Sequence, residues 1–304
     1  MKYTVEYPSD VADASPEFRH STVMRAIASQ AEALGFDAMA LAEHPAPSVK
    51  WRRSGGHDTF DPAVALAFFA AVTTSIRLMT HLIVLPFRNP YLTAKALTSL
   101  DIVSDGRLIA AVGAGYLRSE FATLGVDFDN RVKLFDESLS ALRQIWTRPE
   151  QPVTGSTFAA VGEVHLDAPI QKPHPPVWIG GNSTATMRRV VEHGSGWCPV
   201  IAPAGVTSSV RTATIDGVDS FARAVDKLHG LLAASGRDPD AVDIQVAAPS
   251  VDFGDAAAVA WLDDYIAGMT RAGATWIIAH VDASSPSAAE KYLTRFAGHF
   301  GVAG

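Results

Sequence analysis

Three histidines lie at or near the ends of short apolar runs, where side chains from several strands could meet. His44 follows the run DAMALA, His81 lies within RLMTHLIV, and His280 ends TWIIAH. Histidine exchanges protons near neutral pH, because its ordinary pKa is about 6.5, and it also binds metal ions. A single histidine is more often a structural or surface group. Three in comparable places indicate a shared site for acid–base chemistry or metal binding.

A metal centre would require further ligands at suitable spacing. Glu43 could add a carboxylate to the three histidines. However, the sequence contains no H-x-H or H-E-x-x-H pattern, and adjacent residues such as Glu43 and His44 point in opposite directions when they lie in a strand. We therefore predict no metal ligands, and a metal-dependent hydrolase is the last of the alternatives.

Two glycine-containing stretches could bring the backbone close to a ligand, and the first is AVGAGYLRSEF. Here Gly113, Ala114 and Gly115 follow an apolar run. Arg118 stands where a dinucleotide-binding G-x-G-x-x-G motif has its third glycine, so the motif is incomplete. A tight turn explains this stretch equally well.

The second stretch is WIGGNSTATMRR, in which Gly180 and Gly181 precede Asn182, Ser183 and a predicted helix. Backbone N–H groups at a helix N-terminus attract phosphate, and glycine permits close approach. Capping of the helix by Asn182 or Ser183 alone would explain half of the pattern. A phosphate site and a simple helix cap both remain open at this point.

The elements that must position these residues alternate along the chain. Short β-branched runs give way to longer segments with helical spacing, and Asp61-Pro62 and Asn89-Pro90 mark two helix starts. We predict strands at residues 3–7, 37–42, 77–84, 108–113, 177–180, 196–200, 243–248 and 275–280. A doubly wound open sheet would share this α/β pattern. Eight units in 304 residues favour a (β/α)8 TIM barrel.

Two stretches interrupt the alternation within this predicted single domain of residues 1–304. Residues 148–176 are rich in Pro and Gly and contain a predicted short hairpin at 158–166, and residues 202–216 are rich in Ser and Thr. We expect both to be loop insertions at or near the active-site face, which in TIM barrels is the face at the carboxyl ends of the strands.

The composition argues against several classes of partner. The net charge is −7 and basic residues cluster only at residues 50–53, so nucleic acid is not expected to bind. The first twenty residues lack the apolar segment of a signal peptide, and the longest apolar run, residues 62–72, is too short to span a bilayer. The single Cys198 permits no intrachain disulfide and is expected to be buried. We predict a cytoplasmic protein.

Longer segments resemble a known family in order and spacing. GFDAMALAEHPAP, SGGHDTFDPAVALAFFAAVTTSIRL, TSLDIVSDGRLIAAVGAGYLRSEFATLGV and HPPVWIGGNSTATMRRVVEHGSGW are similar to the luciferase-like monooxygenase superfamily, in particular its F420-dependent oxidoreductases. The resemblance implies a TIM barrel with a flavin-type ring across its mouth and a non-proline cis peptide at His81-Leu82. The implied cofactor-binding set is Glu43, His44, His81, Leu82, Gly113, Ala114, Gly115, Gly180, Gly181, Asn182 and Ser183.

The same resemblance implies roles for residues around the ring. His44 corresponds to a histidine that exchanges a proton with the substrate in the F420-dependent glucose-6-phosphate dehydrogenases, and Trp51 and His280 would line the substrate pocket. Tyr116 stands where those enzymes have an acidic residue, which argues against glucose 6-phosphate as the substrate. Tyr116 and Glu120 are further catalytic candidates, since Glu120 would approach the same space if a helix begins there.

These observations predict an F420-dependent oxidoreductase that transfers a hydride between the deazaflavin C5 and a small organic substrate. The alternatives are an FMN-dependent monooxygenase on the same barrel and a non-catalytic protein that binds F420 or a flavin. The resemblance also implies a homodimer. Phe68, Phe69 and Trp261 could be exposed at its interface, although burial in the core would explain them equally well.

Overall fold

Eight parallel strands pair in chain order, and the eighth closes on the first. The computed structural model describes residues 1–302. The strands are β1 (Lys2–Glu6), β2 (Ala38–Leu41), β3 (Arg77–Val84), β4 (Leu108–Gly113), β5 (Val177–Gly180), β6 (Gly196–Cys198), β7 (Asp243–Ala248) and β8 (Trp276–Ala279). The predicted (β/α)8 barrel is confirmed, and the alternative of an open sheet is wrong, because every strand pairs with two neighbouring strands.

Helices connect the strands on the outside of the barrel. They are α1 (Ser21–Ala33), α2 (Val49–Arg53), α3 (Pro62–Val72), α4 (Pro90–Val103), α5 (Arg118–Thr123), α6 (Arg131–Thr147), α7 (Thr184–His193), α8 (Ala204–Ser209), α9 (Val218–Ala234), α10 (Ala256–Arg271) and α11 (Pro286–Phe300). Short 3-10 turns lie at Pro8–Asp10, Pro16–Arg19, Leu85–Phe87 and Pro239–Ala241.

The local signals for two helix starts are confirmed at the atomic level. The Asp61 side chain accepts the Val64 N–H at 3.1 Å, and the Asn89 side chain accepts the Tyr91 N–H at 2.9 Å. Each is followed by a proline at the first helical position, where a missing N–H costs nothing. These caps fix where α3 and α4 leave the carboxyl ends of β2 and β3.

Three predicted strands are two residues too long, because the ranges 37–42, 196–200 and 275–280 correspond to β2 (Ala38–Leu41), β6 (Gly196–Cys198) and β8 (Trp276–Ala279); β6 has the clearest cause. We expected a strand at residues 196–200, but β6 ends at Cys198. Pro199 follows and has no N–H to donate to a neighbouring strand, so the ladder stops there. The Val200 N–H instead donates to the Asn182 side chain at 2.8 Å. The shortened strand frees this backbone to bind the loop after β5.

Large aromatic side chains fill the inside of the barrel. Trp178 on β5 and Trp276 on β8 meet edge to face with their ring centroids 5.1 Å apart, and both are fully buried. A Cβ atom at Gly196 would lie 2.3 Å from the Trp178 ring. Gly196 therefore makes room for the largest side chain of the interior.

The two insertions differ in where they lie relative to the carboxyl ends of the strands. Residues 202–216 follow β6 at its carboxyl end, where they form α8 and a bridge between Ala202 and Ile215. Residues 148–176 lead into the amino-terminal end of β5, and Gln171 donates to Asp101 and to the Leu108 carbonyl at the start of β4. The prediction that this first insertion lies at or near the active-site face holds for residues 153–157, because Ser156 and Thr157 line a cleft with the segment Pro86–Pro90 after β3, and it fails for residues 171–176. The insertion thus runs from one end of the barrel to the other. It packs against α4 and α6 because its polar groups find partners there.

The hairpin predicted within the first insertion is also misplaced. Within residues 148–176 the structure contains one antiparallel bridge, between Thr154 and Ala159, and residues 160–176 form no strand. The Gly155 N–H donates to the Phe158 carbonyl at 2.9 Å and closes a tight turn. Pro and Gly in the following residues interrupt the alternation that a second strand would need.

Some apolar surface remains on the helices. Trp261 on α10 is 51% exposed and stacks on Tyr265, whereas Phe69 is fully buried and Phe68 packs partly against the core. The expectation that Phe69 could be exposed is therefore wrong, and Trp261 alone of the three presents an open apolar face. Among residues 1–302, none of the helices has both the length and the apolar character needed to cross a bilayer.

We expect Gly196→Ala to lower the free energy of unfolding by about 1–3 kcal/mol, because the added methyl group overlaps the buried Trp178 ring. Urea unfolding followed by tryptophan fluorescence measures this loss. Gly230→Ala on α9 is the matched control, since its Cβ would meet no atom within 4 Å. The control is expected to leave stability unchanged or to raise it by about 1 kcal/mol. Equal effects of the two variants would contradict the packing argument.

Candidate active site

A cavity of about 510 Å³ opens at the carboxyl ends of the strands. This volume is typical of a small-molecule or cofactor site. Apolar residues Leu82, Val84, Phe87, Val200, Ile201 and Val210 line one part of it, and Glu6, His44, His57, His81, Tyr116, Glu120 and His280 line another. The three predicted histidines thus meet at one cavity. A larger, shallower cleft of about 870 Å³ lies next to it between the loops after β7 and β8 and shares His280.

His44 is held by a buried carboxylate. Its Nδ1 lies 3.1 Å from Oε2 of Glu120, and the other oxygen of Glu120 accepts the Ala46 N–H at 3.2 Å. Glu120 can reach this position because α5 begins at Arg118, as the sequence interpretation required. The carboxylate favours a proton on Nδ1, which leaves Nε2 facing Tyr116.

Tyr116 completes a chain of three polar groups. Its hydroxyl lies 3.4 Å from Nε2 of His44, a long hydrogen bond that a small rotation would shorten. Burial, and after it the charge of Glu120, raises the pKa of Tyr116 to about 12. Tyr116 is therefore a neutral hydrogen-bond donor at ordinary pH. The arrangement Glu120, His44, Tyr116 can deliver or accept one proton at the cavity.

Trp51 and His57 pack around the histidine on its other side. The Trp51 ring centroid lies 4.5 Å from that of His44, and the His57 centroid lies 5.2 Å from it. Trp51 does not line the cavity itself, whereas His57 does. Trp51 therefore packs against His44, and its role as the substrate wall that the resemblance implied stays a prediction. The buried Nδ1 of His57 contacts no acceptor or donor among residues 1–302.

A second polar cluster was missed by the sequence interpretation. Glu6 at the end of β1 lies 2.8 Å from Nε2 of His280 and 3.4 Å from Nδ1 of His81. Asp10 lies beside it, and accepts the Ala42 N–H at 2.6 Å and the Ser9 hydroxyl at 2.8 Å. The signal that could have found Glu6 is its position, since it lies one residue before the end of the strand predicted at residues 3–7 and ends the observed β1.

The charges of this cluster depend on one another. Burial works to raise the pKa of Glu6, but the charges and hydrogen bonds of His280 and His81 outweigh it and lower that pKa well below its ordinary range. Burial works to lower the pKa of His280, yet the Glu6 carboxylate raises it. Burial, together with the Glu6 charge, raises the pKa of Asp10. The cluster therefore holds an ion pair between Glu6 and His280 beside the Asp10 carboxyl group, whose pKa is raised.

Glu43 lines the cavity, but its carboxylate is already bound. One oxygen accepts the Val84 N–H at 2.6 Å, and the other forms an ion pair with Arg88. Burial raises the pKa of Glu43 against the lowering effect of Arg88. Both oxygens thus fasten the end of β3 to β2. Glu43 could accept a hydrogen bond from a cofactor only through the remaining lone pairs of these two oxygens.

The peptide between His81 and Leu82 is cis, as the resemblance implied. The pairing of β3 with β4 shifts register between Thr80 and Ile83, which indicates a bulge at this place. Leu82 lines the cavity at the bulge.

Leu82 also explains two of the candidate glycines. A Cβ at Gly113 would lie 3.1 Å from the Leu82 side chain, and a Cβ at Gly180 would lie 2.1 Å from it. These glycines make room for Leu82, an apolar contact that the sequence interpretation did not foresee. Gly115 has a φ of 75° and its Cβ would lie 2.7 Å from Val84, so a tight turn accounts for it. Ala114 between them packs partly against the core.

Asn182 joins the loop after β5 to the loop after β6. Its side-chain amide donates to the carbonyls of Val200 and Ala213 at 2.7 Å each, and its oxygen accepts the Val200 N–H. Its own N–H donates to the Thr212 hydroxyl at 2.8 Å. Every polar group of Asn182 except its backbone carbonyl has a hydrogen-bond partner. This residue therefore clamps the two loops together.

The helix N-terminus behind this clamp keeps the features of an anion site. Ser183 caps α7, and its hydroxyl accepts the Thr186 N–H at 3.0 Å. The N–H groups of Thr184 and Ala185 belong to the first turn, where no intrahelical acceptor exists. The Lys227 amine lies 2.5 Å from the Thr184 hydroxyl and adds a positive charge that the sequence interpretation did not anticipate. Gly181 precedes this turn with a φ of 114°.

The described part of the chain, residues 1–302, contains no group of three or more His, Cys, Asp or Glu side chains arranged to hold a metal ion. Cys198 is free and buried, and burial raises the pKa of its thiol. It lines the cavity as an un-ionised group.

Comparison with known proteins identifies the family of this chain. The profile of the luciferase-like monooxygenases matches residues 8–298, which is nearly the whole chain. The chain belongs to this family. A solved structure of the monooxygenase RslO1 from Streptomyces bottropensis superposes with a TM-score of 0.78 over 98% of both chains at 22% identity, and it shows the shared fold.

Relatives within the luciferase-like family differ in cofactor. An F420-dependent glucose-6-phosphate dehydrogenase of Amycolatopsis mediterranei (strain U-32) is 29% identical over 177 residues, which cover 56% of this chain and 50% of that protein. An FMNH(2)-dependent dimethylsulfone monooxygenase of Pseudomonas putida is 27% identical over 177 residues, covering 57% and 47%. The chain thus matches about half the length of these curated relatives. Luciferase-like members with either cofactor are similar to it.

We expect Glu6→Gln to reduce the free energy of unfolding most at about pH 5–6, by about 1–2 kcal/mol, and much less at pH 9. The lowered pKa of Glu6 means that its contribution is present above about pH 4.3 and lost in acid. The raised pKa of His280 means that its contribution is full below about pH 6.5 and lost as the pH rises through the raised value. The ion pair is therefore strongest between these limits.

Urea unfolding at several pH values measures this profile, and Asp10 and His81 face Glu6 in both proteins. Glu163→Gln, which changes an exposed carboxylate, is the matched control and should show no such dependence. A loss for Glu6→Gln that stays constant from pH 5 to pH 9 would contradict the ion pair.

Proposed function

We propose that this protein is an F420-dependent oxidoreductase in which a hydride passes between the deazaflavin and a small organic substrate. The observation that carries the proposal is the group Glu120, His44 and Tyr116 at the mouth of the barrel. Hydride transfer to or from an alcohol or carbonyl carbon must be balanced by a proton at oxygen. A histidine oriented by a buried carboxylate suits this proton transfer.

The cavity fits a planar, three-ring group with a phosphate-bearing tail. Its volume of about 510 Å³ and its apolar side at Leu82, Val84 and Phe87 suit one face of a ring system. The first turn of α7 and the Lys227 amine would bind the phosphate. When bound, the deazaflavin supplies a carbon that accepts or donates a hydride and does not readily activate oxygen.

Each residue of the mouth then has a separate task. His44 holds or releases the proton at Nε2, Glu120 keeps its ring oriented through Nδ1, and Tyr116 offers a hydrogen bond to the substrate oxygen. Trp51 packs against His44 and keeps water from that side. Glu120 is accordingly a positioning residue, and His44 and Tyr116 are the candidate catalytic groups.

Glucose 6-phosphate remains an unfavourable substrate in this proposal. Tyr116 replaces the acidic residue that the resemblance led us to expect after Gly115, and the pKa of its hydroxyl is raised by burial. A neutral phenol next to His44 suits an uncharged or moderately polar substrate. The protein also remains a proposed homodimer, and Trp261 is the exposed apolar residue that could contribute to such an interface.

An FMN-dependent monooxygenase is the second candidate, and the similarity to an FMNH(2)-dependent enzyme over 57% of the chain favours it. The same apolar wall and α7 N-terminus would hold FMN. The two candidates differ in whether the proton group serves a hydride transfer or a reaction with oxygen. A protein that binds either cofactor without turnover is the third possibility, and it would have no use for the Glu120 and His44 pair.

The cofactor is the first point to test. We expect purified protein to bind F420 with micromolar or tighter affinity and to bind FMN at least tenfold more weakly, which corresponds to about 1.4 kcal/mol. Titration followed by the intrinsic fluorescence of each cofactor, with its reduced form measured under nitrogen, gives both constants. A preference for FMN in both redox states would reject F420 dependence and promote the monooxygenase.

His44→Gln should lower kcat by roughly 10²–10⁴-fold while leaving cofactor affinity nearly unchanged, because proton transfer is lost and the ring site is kept. A screen of alcohols and aldehydes with F420 absorbance as the readout supplies the substrate. His20→Gln is the matched control, since His20 is exposed and does not line the cavity. Unchanged turnover in His44→Gln would remove His44 from the mechanism, even if F420 binding holds.

A further inference from the structure

A cluster of three arginines surrounds one phenylalanine outside the cavity. The guanidinium carbons of Arg131, Arg118 and Arg211 lie 4.1, 4.4 and 5.1 Å from the centre of the Phe128 ring. The chain as a whole carries a net charge of −7, so this concentration of positive charge is local. We call these three residues, with Phe128, the arginine cluster.

The positive charge of the arginine cluster is only partly balanced. Arg118 pairs with Asp129 at 2.7 Å. Within residues 1–302, no carboxylate lies within 4 Å of the guanidinium of Arg131 or Arg211. The side chain of Asp127 instead accepts from the Asp129 N–H and from Asn130. Burial, and after it the charge of Arg211, lowers the pKa of Arg131, so the two guanidinium groups repel each other.

The position of Arg131 on its helix provides an independent argument. Arg131 is the first residue of α6, a helix of 17 residues whose N-cap, Asn130, makes no side-chain capping bond. The first turn of α6 contains no acidic residue. A cation at a helix N-terminus is unfavourable, because the helix dipole is positive there. A bound anion would offset both the dipole and the repulsion between arginines.

The arginine cluster adjoins the cofactor site through sequence and packing. Arg211 lies between Val210, which lines the cavity, and Thr212, which accepts the Asn182 N–H beside the α7 N-terminus. Phe128 packs against Phe121, and Phe121 packs against Phe87 on the cavity wall, with ring centroids 5.1 and 4.8 Å apart. A flexible ligand tail that extends from the α7 N-terminus past residues 210–212 would reach the arginine cluster.

The chemistry of the two candidate cofactors differs at this place. FMN ends at its phosphate, whereas F420 continues beyond its phosphate into a chain of glutamate carboxylates. Guanidinium groups bind carboxylates in a planar, two-bond geometry. The exposed arginines can follow such a flexible chain, because Arg118 and Arg211 lie at the surface.

We propose that Arg118, Arg131 and Arg211 bind the carboxylates of the cofactor tail beyond its phosphate, an inference that rests on the proposed F420 dependence. The arginine cluster thereby makes affinity depend on tail length. It also favours F420 over FMN, because FMN has no carboxylates beyond its phosphate for the arginines to bind.

Binding of four probes tests the inference: F420 with a long glutamate tail, F420 with one glutamate, the deazaflavin core without phosphate or tail, and FMN. Wild-type protein should bind the long tail most tightly. Arg211→Gln and Arg131→Gln should each weaken that binding roughly 3–10-fold, reduce its dependence on salt, and leave the core probe unaffected. Arg211→Lys should restore part of the affinity, because it keeps the charge and loses the planar geometry.

Arg223→Gln is the matched control, because it removes an exposed positive charge on α9. If the variants bind every tail length as wild type does while F420 still binds, the inference is wrong and the proposed function stands. Millimolar inorganic phosphate should compete with the tail at the cluster and reduce the tail-length effect in wild type. A tail-length effect that is insensitive to both salt and phosphate would contradict the inference. If F420 does not bind at all, the proposed function itself fails.

Discussion

The closure of the sheet is the constraint on which the rest of this structure depends. Because β8 pairs with β1 in parallel, the carboxyl ends of all eight strands meet around one mouth. Glu6, His81 and His280 lie far apart in sequence, yet closure brings them within hydrogen-bonding distance. An open sheet with the same strands would place β1 and β8 apart. The topology of the closed sheet therefore determines that these acid–base groups meet at the mouth.

Buried carboxylates then fix the loops that leave the mouth. Glu43 binds the Val84 backbone and Arg88, and Glu120 binds the Ala46 backbone and His44. A buried charge is costly without partners, so each of these groups is stable only with its loop in place. The same interactions that hold the loops therefore orient His44. Structure and candidate chemistry share their hydrogen bonds, which is why the positions of β2, β3 and α5 are interdependent.

The glycines of the mouth illustrate how one signal can have two causes. Gly113 and Gly180 stand where a phosphate-binding loop would have them, and the structure uses both to accommodate Leu82. Asn182 likewise clamps two loops with its side chain. The anion-binding character of this region comes instead from the first turn of α7, from Lys227 and, further out, from the arginine cluster. None of these contacts follows a sequence motif, because they join α7, α9 and the loop before α6 across the barrel face.

The sequence by itself determined the existence of the eight strands, the caps of α3 and α4, and the positions of His44 and His280 after strand ends and of His81 within β3. These features depend on local periodicity, capping and proline, which act within a few residues. Only the tertiary structure decided that the end of the insertion before β5 packs against α4 and the start of β4, that Trp51 packs against His44, and that Glu6 and Asp10 join the histidines. Such contacts join residues that are distant in the chain, and burial and charge pairing select them after the barrel has closed.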